Sequence, residues 1–193
     1  MTNSDKIILE AHKNGFKEKD NNDYIKLLYH QKYGFDETCF RYKSWIIRLE
    51  AYRKLGFNKN ALYDTNFIIR LEYYKKHGFL KKALDDPYWL IRLEAYKYFG
   101  FTKKALRDKY FEIRLEAYRV LGFSYRALYD KSKDIRLEAY KCFHFPSMAY
   151  DDPNWENRLE AYKFRPEKLV NAINDKSEII RQYAQYWMEL NKI

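Results

Sequence analysis

The sequence has little of the residues that define several protein classes. Its 193 residues include only two cysteines, four prolines and six glycines, which excludes a disulfide framework and argues against collagen-like or low-complexity sequence. No apolar run reaches the roughly 18 residues that a transmembrane helix needs, and the N-terminal residues contain no apolar signal segment. We therefore expect an ordered, soluble protein of the cytoplasm that does not bind membranes.

What the sequence does have is aromatic residues and positive charge. Aromatic residues make up 19% of the chain, and 37 Lys and Arg against 27 Asp and Glu give a net charge of +10. Basic proteins often bind nucleic acid. However, Lys, Tyr and Asn are abundant together here, as an AT-rich coding sequence would produce, so the charge alone does not identify a ligand.

One hexapeptide recurs along the chain. Ile-Arg-Leu-Glu-Ala-Tyr returns every 22 residues, with one change in two of its six copies, starting at Ile47, Ile69, Ile91, Ile113, Ile135 and Asn157. Weaker copies begin at Ile7, Ile25 and Ile180. Because so short a repeat cannot bury a core alone, the period predicts one domain over residues 1–193, built from about nine stacked repeats. The strong repeats span 43–162, and divergent capping repeats span 1–24 and 163–193.

Each repeat is predicted to contain two helices. In the repeat that begins at Ile47, helical spacing places Ile47, Ala51, Tyr52 and Leu55 on one apolar face. Gly56 is expected to end this helix as a left-handed C-cap, and the Phe that follows can fold back onto the helix. A short second helix then carries a buried Ala-Leu pair.

The consensus A-L-x-D-x-x-x-x-I-R-L-E-A-Y resembles the leucine-rich-repeat-variant and short HEAT-like α-solenoid families over residues 25–186. The resemblance implies an all-α fold, a right-handed superhelix of paired helices. The chain departs from these families by its Tyr after Ala and by a Gly-Phe stop in place of a Pro-bearing turn. The resemblance implies little about function, because such solenoids bind proteins, nucleic acids or both.

Two sets of charged residues recur with the repeat and are expected to neutralise each other. A Glu precedes a base by three residues, as in Glu50 and Arg53. An Asp precedes an Arg by six residues, a spacing that resembles the Asp/Arg ladder of HEAT-like repeats. These pairs are Asp64–Arg70, Asp86–Arg92, Asp108–Arg114, Asp130–Arg136, Asp152–Arg158 and Asp175–Arg181. A phosphate-binding row of arginines is the alternative to this pairing.

The remaining positive charge concentrates on four of the short second helices. These helices contain one acid, Asp85, and seven bases that we call the basic stripe: Lys59, Lys81, Lys82, Lys103, Lys104, Arg107 and Arg126. Tyr63, Tyr125 and Tyr129 lie among them. The stripe favours either an acidic protein partner or nucleic acid bound without sequence preference. A lysine-rich solvated surface is the alternative without a ligand.

Two columns of the repeat vary along the chain. The position one residue before the hexapeptide is apolar in the first repeats and acidic later, in Glu112, Asp134 and Glu156. The position two residues before the hexapeptide is mostly aromatic. An exposed apolar surface of this kind is typical of protein docking, although packing between repeats also explains the aromatic column. We expect a protein partner to bind an apolar strip of five residues: Ile46, Ile68, Leu90, Trp45 and Trp89.

No arrangement of residues predicts catalysis, a metal site or a cofactor. The histidines are scattered, and there is no HExxH motif, phosphate-binding loop or nucleophile elbow. HEAT-like alkylpurine DNA glycosylases are the enzymatic alternative, with Asp85 and Asp151 as the available carboxylates. The sequence thus predicts a non-enzymatic scaffold for a macromolecular partner, protein in preference to nucleic acid, with no small-molecule substrate. Its size and charge would suit a phage-borne inhibitor of a host nucleic-acid machine.

Overall fold

The computed structural model describes residues 23–191, and all regular structure among them is helical. Nine α-helices lie in this part of the chain: α1 (Asp23–Tyr33), α2 (Trp45–Leu55), α3 (Phe67–His77), α4 (Trp89–Phe99), α5 (Phe111–Leu121), α6 (Lys133–Cys142), α7 (Trp155–Phe164), α8 (Leu169–Ala172) and α9 (Glu178–Asn191). Seven 3₁₀ helices alternate with them: Glu37–Arg41, Lys59–Tyr63, Lys81–Asp85, Ala105–Arg107, Tyr125–Tyr129, Ser147–Asp151 and Pro166–Lys168. Over the same residues, no helix combines the length and the apolar composition needed to cross a membrane.

The chain divides into two compact units, Met1–Ala95 and Tyr96–Ile193, whose boundary falls inside α4. In both units a long α-helix alternates with a 3₁₀ helix, and the 3₁₀ helix packs against the long helix that follows it. The predicted all-α repeat architecture of the α-solenoid class is therefore confirmed, with a 3₁₀ helix as the short second element. The single domain over residues 1–193 stays a prediction, and the repeat expected at Ile7 lies outside the described residues.

The same columns of the repeat form the core of both units. The first and fifth residues of the hexapeptide, such as Ile47 and Ala51, are buried except at the partly exposed Tyr73, and the sixth, such as Tyr52, is almost fully buried. The second element contributes a buried alanine, such as Ala61. Burying each large apolar side chain stabilises the fold by about 1.5–3 kcal/mol, so repetition of these columns accounts for the helical stack.

Leu55 does not belong to the core, contrary to the prediction from helical spacing. Its side chain is 46% exposed. The helix ends at Leu55, and the turn places Phe57 rather than Leu55 on the ring of Tyr52, with 5.5 Å between ring centroids. The last turn of the helix therefore faces solvent.

Gly56 ends α2 in a conformation other than the expected left-handed cap. Its φ of 102° and ψ of 142° are an extended conformation at positive φ, which is almost restricted to glycine. All five glycines in the described part of the chain have φ between 87° and 105°, whereas Gly15 lies outside it. In the repeat that begins at Ile135, His144 stands in place of this glycine, and the turn uses two residues with positive φ, His144 and Phe145.

Candidate functional site

Ion pairs between successive repeats occupy the recurring arginines. Arg70 donates from Nε and Nη2 to the two carboxylate oxygens of Asp86, at 2.9 and 2.8 Å, and from Nη1 to the backbone carbonyl of Asp64 at 2.7 Å. The same arrangement recurs at Arg48, Arg114, Arg136 and Arg158. Each of these arginines therefore links its own repeat to the next one.

The prediction that the Asp carboxylate pairs with the Arg six residues later is thus wrong. In these repeats the carboxylate pairs with the Arg of the preceding repeat. Asp64 accepts a hydrogen bond from the backbone N–H of Asn66 at 2.8 Å, and this turn aims its carboxylate at Arg48 of the preceding repeat. Hydrogen bonding to Asp86 raises the pKa of Arg70. Because these guanidinium groups are nearly buried and paired, they do not form a phosphate-binding row.

The last ladder position is incomplete within the described residues. Arg181, which was expected to pair with Asp175, donates to the backbone carbonyls of Asp175 and Lys176 at 2.7 and 3.1 Å. The carboxylate of Asp175 instead accepts from Arg158.

The predicted surface pairs between Glu and a base form at Glu50, Glu116, Glu138 and Glu160. The distances from base nitrogen to Glu oxygen range from 2.7 Å in Arg53–Glu50 to 3.5 Å in Lys141–Glu138. Arg53 also reaches Glu72 of the next repeat. Pairs this exposed contribute at most about 1 kcal/mol each, so they neutralise surface charge more than they stabilise the fold.

All seven residues of the basic stripe are exposed. Lys59, Lys81 and Lys82 belong to the first unit, where the Nζ of Lys82 lies 4.2 Å from the centroid of the Tyr63 ring. The other four bases belong to the second unit, together with the exposed Tyr125 and Tyr129. The side chains of the stripe are therefore accessible to solvent in both units, and their role in binding stays a prediction.

The apolar strip is less accessible than the sequence suggests. Ile46 is exposed, but the other four residues are only partly so. Trp45 and Ile68 pack against one core cluster of the first unit, and Leu90 packs against another. In the second unit Glu156, one of the acidic residues in this column, forms an ion pair with Lys133. Packing between repeats therefore uses much of this surface, and its role in partner binding stays a prediction.

A more exposed apolar surface lies where the long helices of the second unit end. Five apolar side chains at the ends of α4, α5 and α7 are each 41–61% exposed and occupy the same two columns of the repeat, and we call this set the helix-end patch: Tyr98, Phe99, Val120, Leu121 and Phe164. Sequence reasoning missed it because the column of Leu55 was assigned to the core. In the first unit, the same two columns of the repeat contain the polar residues Lys54, Lys76 and His77. These polar residues were the signal in the sequence that both columns are exposed.

Cysteine and histidine side chains suit nucleophilic or metal chemistry, and where they lie close together, at Cys39 and His30, they are buried in the fold. Cys39 is fully buried, with its Sγ 3.5 Å from Nδ1 of His30. The other ring nitrogen of His30 lies 3.0 Å from the hydroxyl of Tyr42. Residues 23–191 contain no group of three or more His, Cys, Asp or Glu side chains placed to hold a metal ion.

Comparison with known proteins returned no match to a family model, to a curated protein or to a solved structure. Any functional assignment therefore depends on the surfaces described above.

Proposed function

We propose that this chain is a non-enzymatic helical-repeat scaffold of the cytoplasm that binds a protein partner. The observation that carries the proposal is the helix-end patch. Soluble proteins rarely leave several large apolar side chains exposed together, and such patches mark surfaces for protein binding. Val120 and Leu121 are two such side chains at adjacent positions.

Charge near the patch favours an acidic partner. Lys103 and Lys104, both exposed, follow Phe99 by only four and five residues. Complementary charge accelerates association and orients the partner, while buried apolar anchors supply most of the affinity. We therefore expect the bound protein segment to combine apolar anchors with acidic residues.

The more specific roles raised by the sequence have less support. Asp85 and Asp151, the carboxylates considered for a glycosylase, are exposed at the ends of 3₁₀ helices, whereas a base-excising enzyme holds the extruded base in a closely fitting pocket. A phage-borne inhibitor of a host nucleic-acid machine stays a prediction from size and charge.

The test is capture of the partner by the double variant Val120→Asp/Leu121→Asp. It should retain the fold, because both side chains are exposed, and should bind the partner at least about tenfold more weakly, because apolar anchors dominate interface energies. Chemical cross-linking in cells of the source organism, followed by mass spectrometry with and without nuclease, measures this. Ile179→Asp/Leu190→Asp is the matched control, because these exposed apolar residues lie on α9, outside the patch.

Equal capture by both double variants would contradict the proposed surface. A partner lost after nuclease treatment would contradict direct protein binding.

A further inference from the structure

An open depression lies between two consecutive repeats of the second unit. It has a volume of about 580 Å³, and five bases and two acids line it, for a net charge of +3. One base is already neutralised, since Arg114 is paired with Asp130. The other four, which define what we call the basic depression, are Arg107, Lys109, Arg126 and Lys131.

These four bases are available to a ligand. All four are exposed, and none pairs with a carboxylate within residues 23–191. Lys109 only approaches the ring of Tyr110, at 5.3 Å from Nζ to the ring centroid. Cations gathered around one concave surface focus a positive potential there, so the depression attracts anions.

The same depression recurs two repeats later without the positive charge. Its volume is about 300 Å³, and two bases and three acids line it, for a net charge of −1. The ladder pair is retained as Arg158 and Asp175. Asp151, Pro153 and Asn171 occupy the places of the first depression's Arg107, Lys109 and Arg126. Because the repeat folds with acidic or neutral residues at these places, its architecture does not require the bases.

An exposed aromatic ring completes the basic depression. Tyr129 lines it with 75% of its surface exposed, and its counterpart in the second depression is Asn174. Bases that contact phosphate, beside a ring that can stack on a nucleobase, are the combination found in sites for single-stranded nucleic acid. A volume of this size is within the range of small-ligand pockets.

We propose that the basic depression binds a nucleotide through its phosphate. Arg107 and Arg126 contact the phosphate oxygens, because guanidinium groups donate paired hydrogen bonds to such anions. Lys109 and Lys131 add positive charge, and Tyr129 stacks on the base. A free nucleotide and one nucleotide of a single strand present the same chemistry. The proposal goes beyond the protein-binding function and can fail separately, because it involves no residue of the helix-end patch.

The test exchanges the residues of the two depressions. Arg107→Asp/Arg126→Asn gives the basic depression the residues of its counterpart, and Asp151→Arg/Asn171→Arg does the reverse. Lys59→Asp/Lys81→Asn changes the net charge equally on the basic stripe of the first unit. Fluorescence anisotropy with a labelled single strand of about ten nucleotides measures binding over a salt series, and urea unfolding checks that each variant is folded.

Arg107→Asp/Arg126→Asn should weaken binding at least about tenfold, as expected for the loss of charged hydrogen bonds. It should also reduce the slope of log K against log salt by about 1.4, because two phosphate contacts are removed. The Lys59→Asp/Lys81→Asn control should bind almost as the unmodified chain does, and Asp151→Arg/Asn171→Arg should bind more strand per chain. The gain of binding in Asp151→Arg/Asn171→Arg keeps the test informative if Arg107→Asp/Arg126→Asn fails to fold.

Competitors identify the source of the phosphate and the class of the ligand. Displacement of the strand by ATP at a similar concentration indicates a site for free nucleotides, whereas resistance to ATP indicates a site for single strands. The proposal is overturned if polyglutamate of similar length displaces the strand equally well, or if no strand binds at low salt. Equal weakening by the two charge-lowering variants would also overturn it, because that result indicates a diffuse charge effect.

Discussion

Asp152 shows what one buried carboxylate does in the ladder. It accepts hydrogen bonds from Nε and Nη2 of Arg136 at 2.7 and 2.9 Å and from the hydroxyl of Tyr140 at 2.8 Å. Burial raises the pKa of this carboxyl, but hydrogen bonds from Arg136, the backbone of Asn154 and Tyr140 outweigh burial and lower the pKa to about 2. Burial, together with the hydrogen bond to Asp152, raises the pKa of Tyr140. The fold therefore favours the ionised carboxylate.

This pKa predicts how stability depends on pH. Because the folded pKa lies below the usual 3.8, the contribution of Asp152 is fully present above pH 3.8 and is lost as the pH falls towards about 2. Its size is about 2 kcal/mol. Asp152→Asn should lower the free energy of unfolding at neutral pH by about 3 kcal/mol, because it leaves Arg136 buried and unpaired. The difference from the unmodified chain should narrow in acid, as measured by urea unfolding at several pH values.

The neighbouring carboxylate provides the control for this prediction. Asp151 is exposed, so Asp151→Asn should change the free energy of unfolding by less than about 0.5 kcal/mol. If the two variants show the same stability and pH dependence, the ladder does not stabilise the fold as described.

The turn after each long helix depends on one backbone conformation and one ring contact. Gly122 has φ of 90° and ψ of 144°, and the following Phe123 stacks on the buried Tyr118 with 5.5 Å between ring centroids. A Cβ at Gly122 would meet no neighbouring atom. The cost of replacing this glycine therefore comes from backbone strain alone.

Gly122→Ala should lower the free energy of unfolding by about 1–3 kcal/mol, because a residue with a Cβ is strained in this conformation. Ser124→Ala in the same turn is the control. The Ser124 side chain makes no capping hydrogen bond, so its loss should cost less than about 0.5 kcal/mol. Urea unfolding measures both variants, and equal stability would show that the turn can adopt another conformation without cost.

The main contacts in each unit join neighbouring repeats. In the second unit α5 packs on α6 and α6 packs on α7, while the 3₁₀ helices that precede α5, α6 and α7 each pack on the long helix that follows. The stability of such a fold is approximately a sum of terms for single repeats and for adjacent pairs. A whole repeat should therefore be removable, whereas half of one should not.

Deletion of residues 133–154, one period of 22 residues, should leave a folded chain. It joins Ser132 directly to Trp155, removes Arg136 together with Asp152, and retains Asp130 and Asp175 with their arginines. We expect strong helical circular dichroism and cooperative unfolding at a lower urea concentration.

Deletion of 133–143 alone is the control, because it removes α6 and leaves Asp152 buried without its arginine. This shorter deletion should abolish cooperative unfolding. Similar behaviour of the two deletions would contradict a fold built from additive repeats.

The repeat and its core could be predicted from the sequence, because helical periodicity reports which side chains share a face. The burial of Ile47, Ala51 and Tyr52 followed from their spacing alone. The exposure of Leu55 could not be predicted from spacing, since it depends on how the chain turns at Gly56. The bases Arg107 and Arg126 were recognised as part of a stripe, but Lys109 and Lys131 were not grouped with them.

The sequence by itself determined the period of 22 residues, the all-helical fold and the residues that recur in the core. Only the tertiary structure decided which residues of one repeat meet those of the next. The partner of Arg70 proved to be Asp86 rather than Asp64, and bases from two repeats lie around one depression. The physical reason is that local spacing specifies each helix, whereas contacts between repeats depend on how the helices stack.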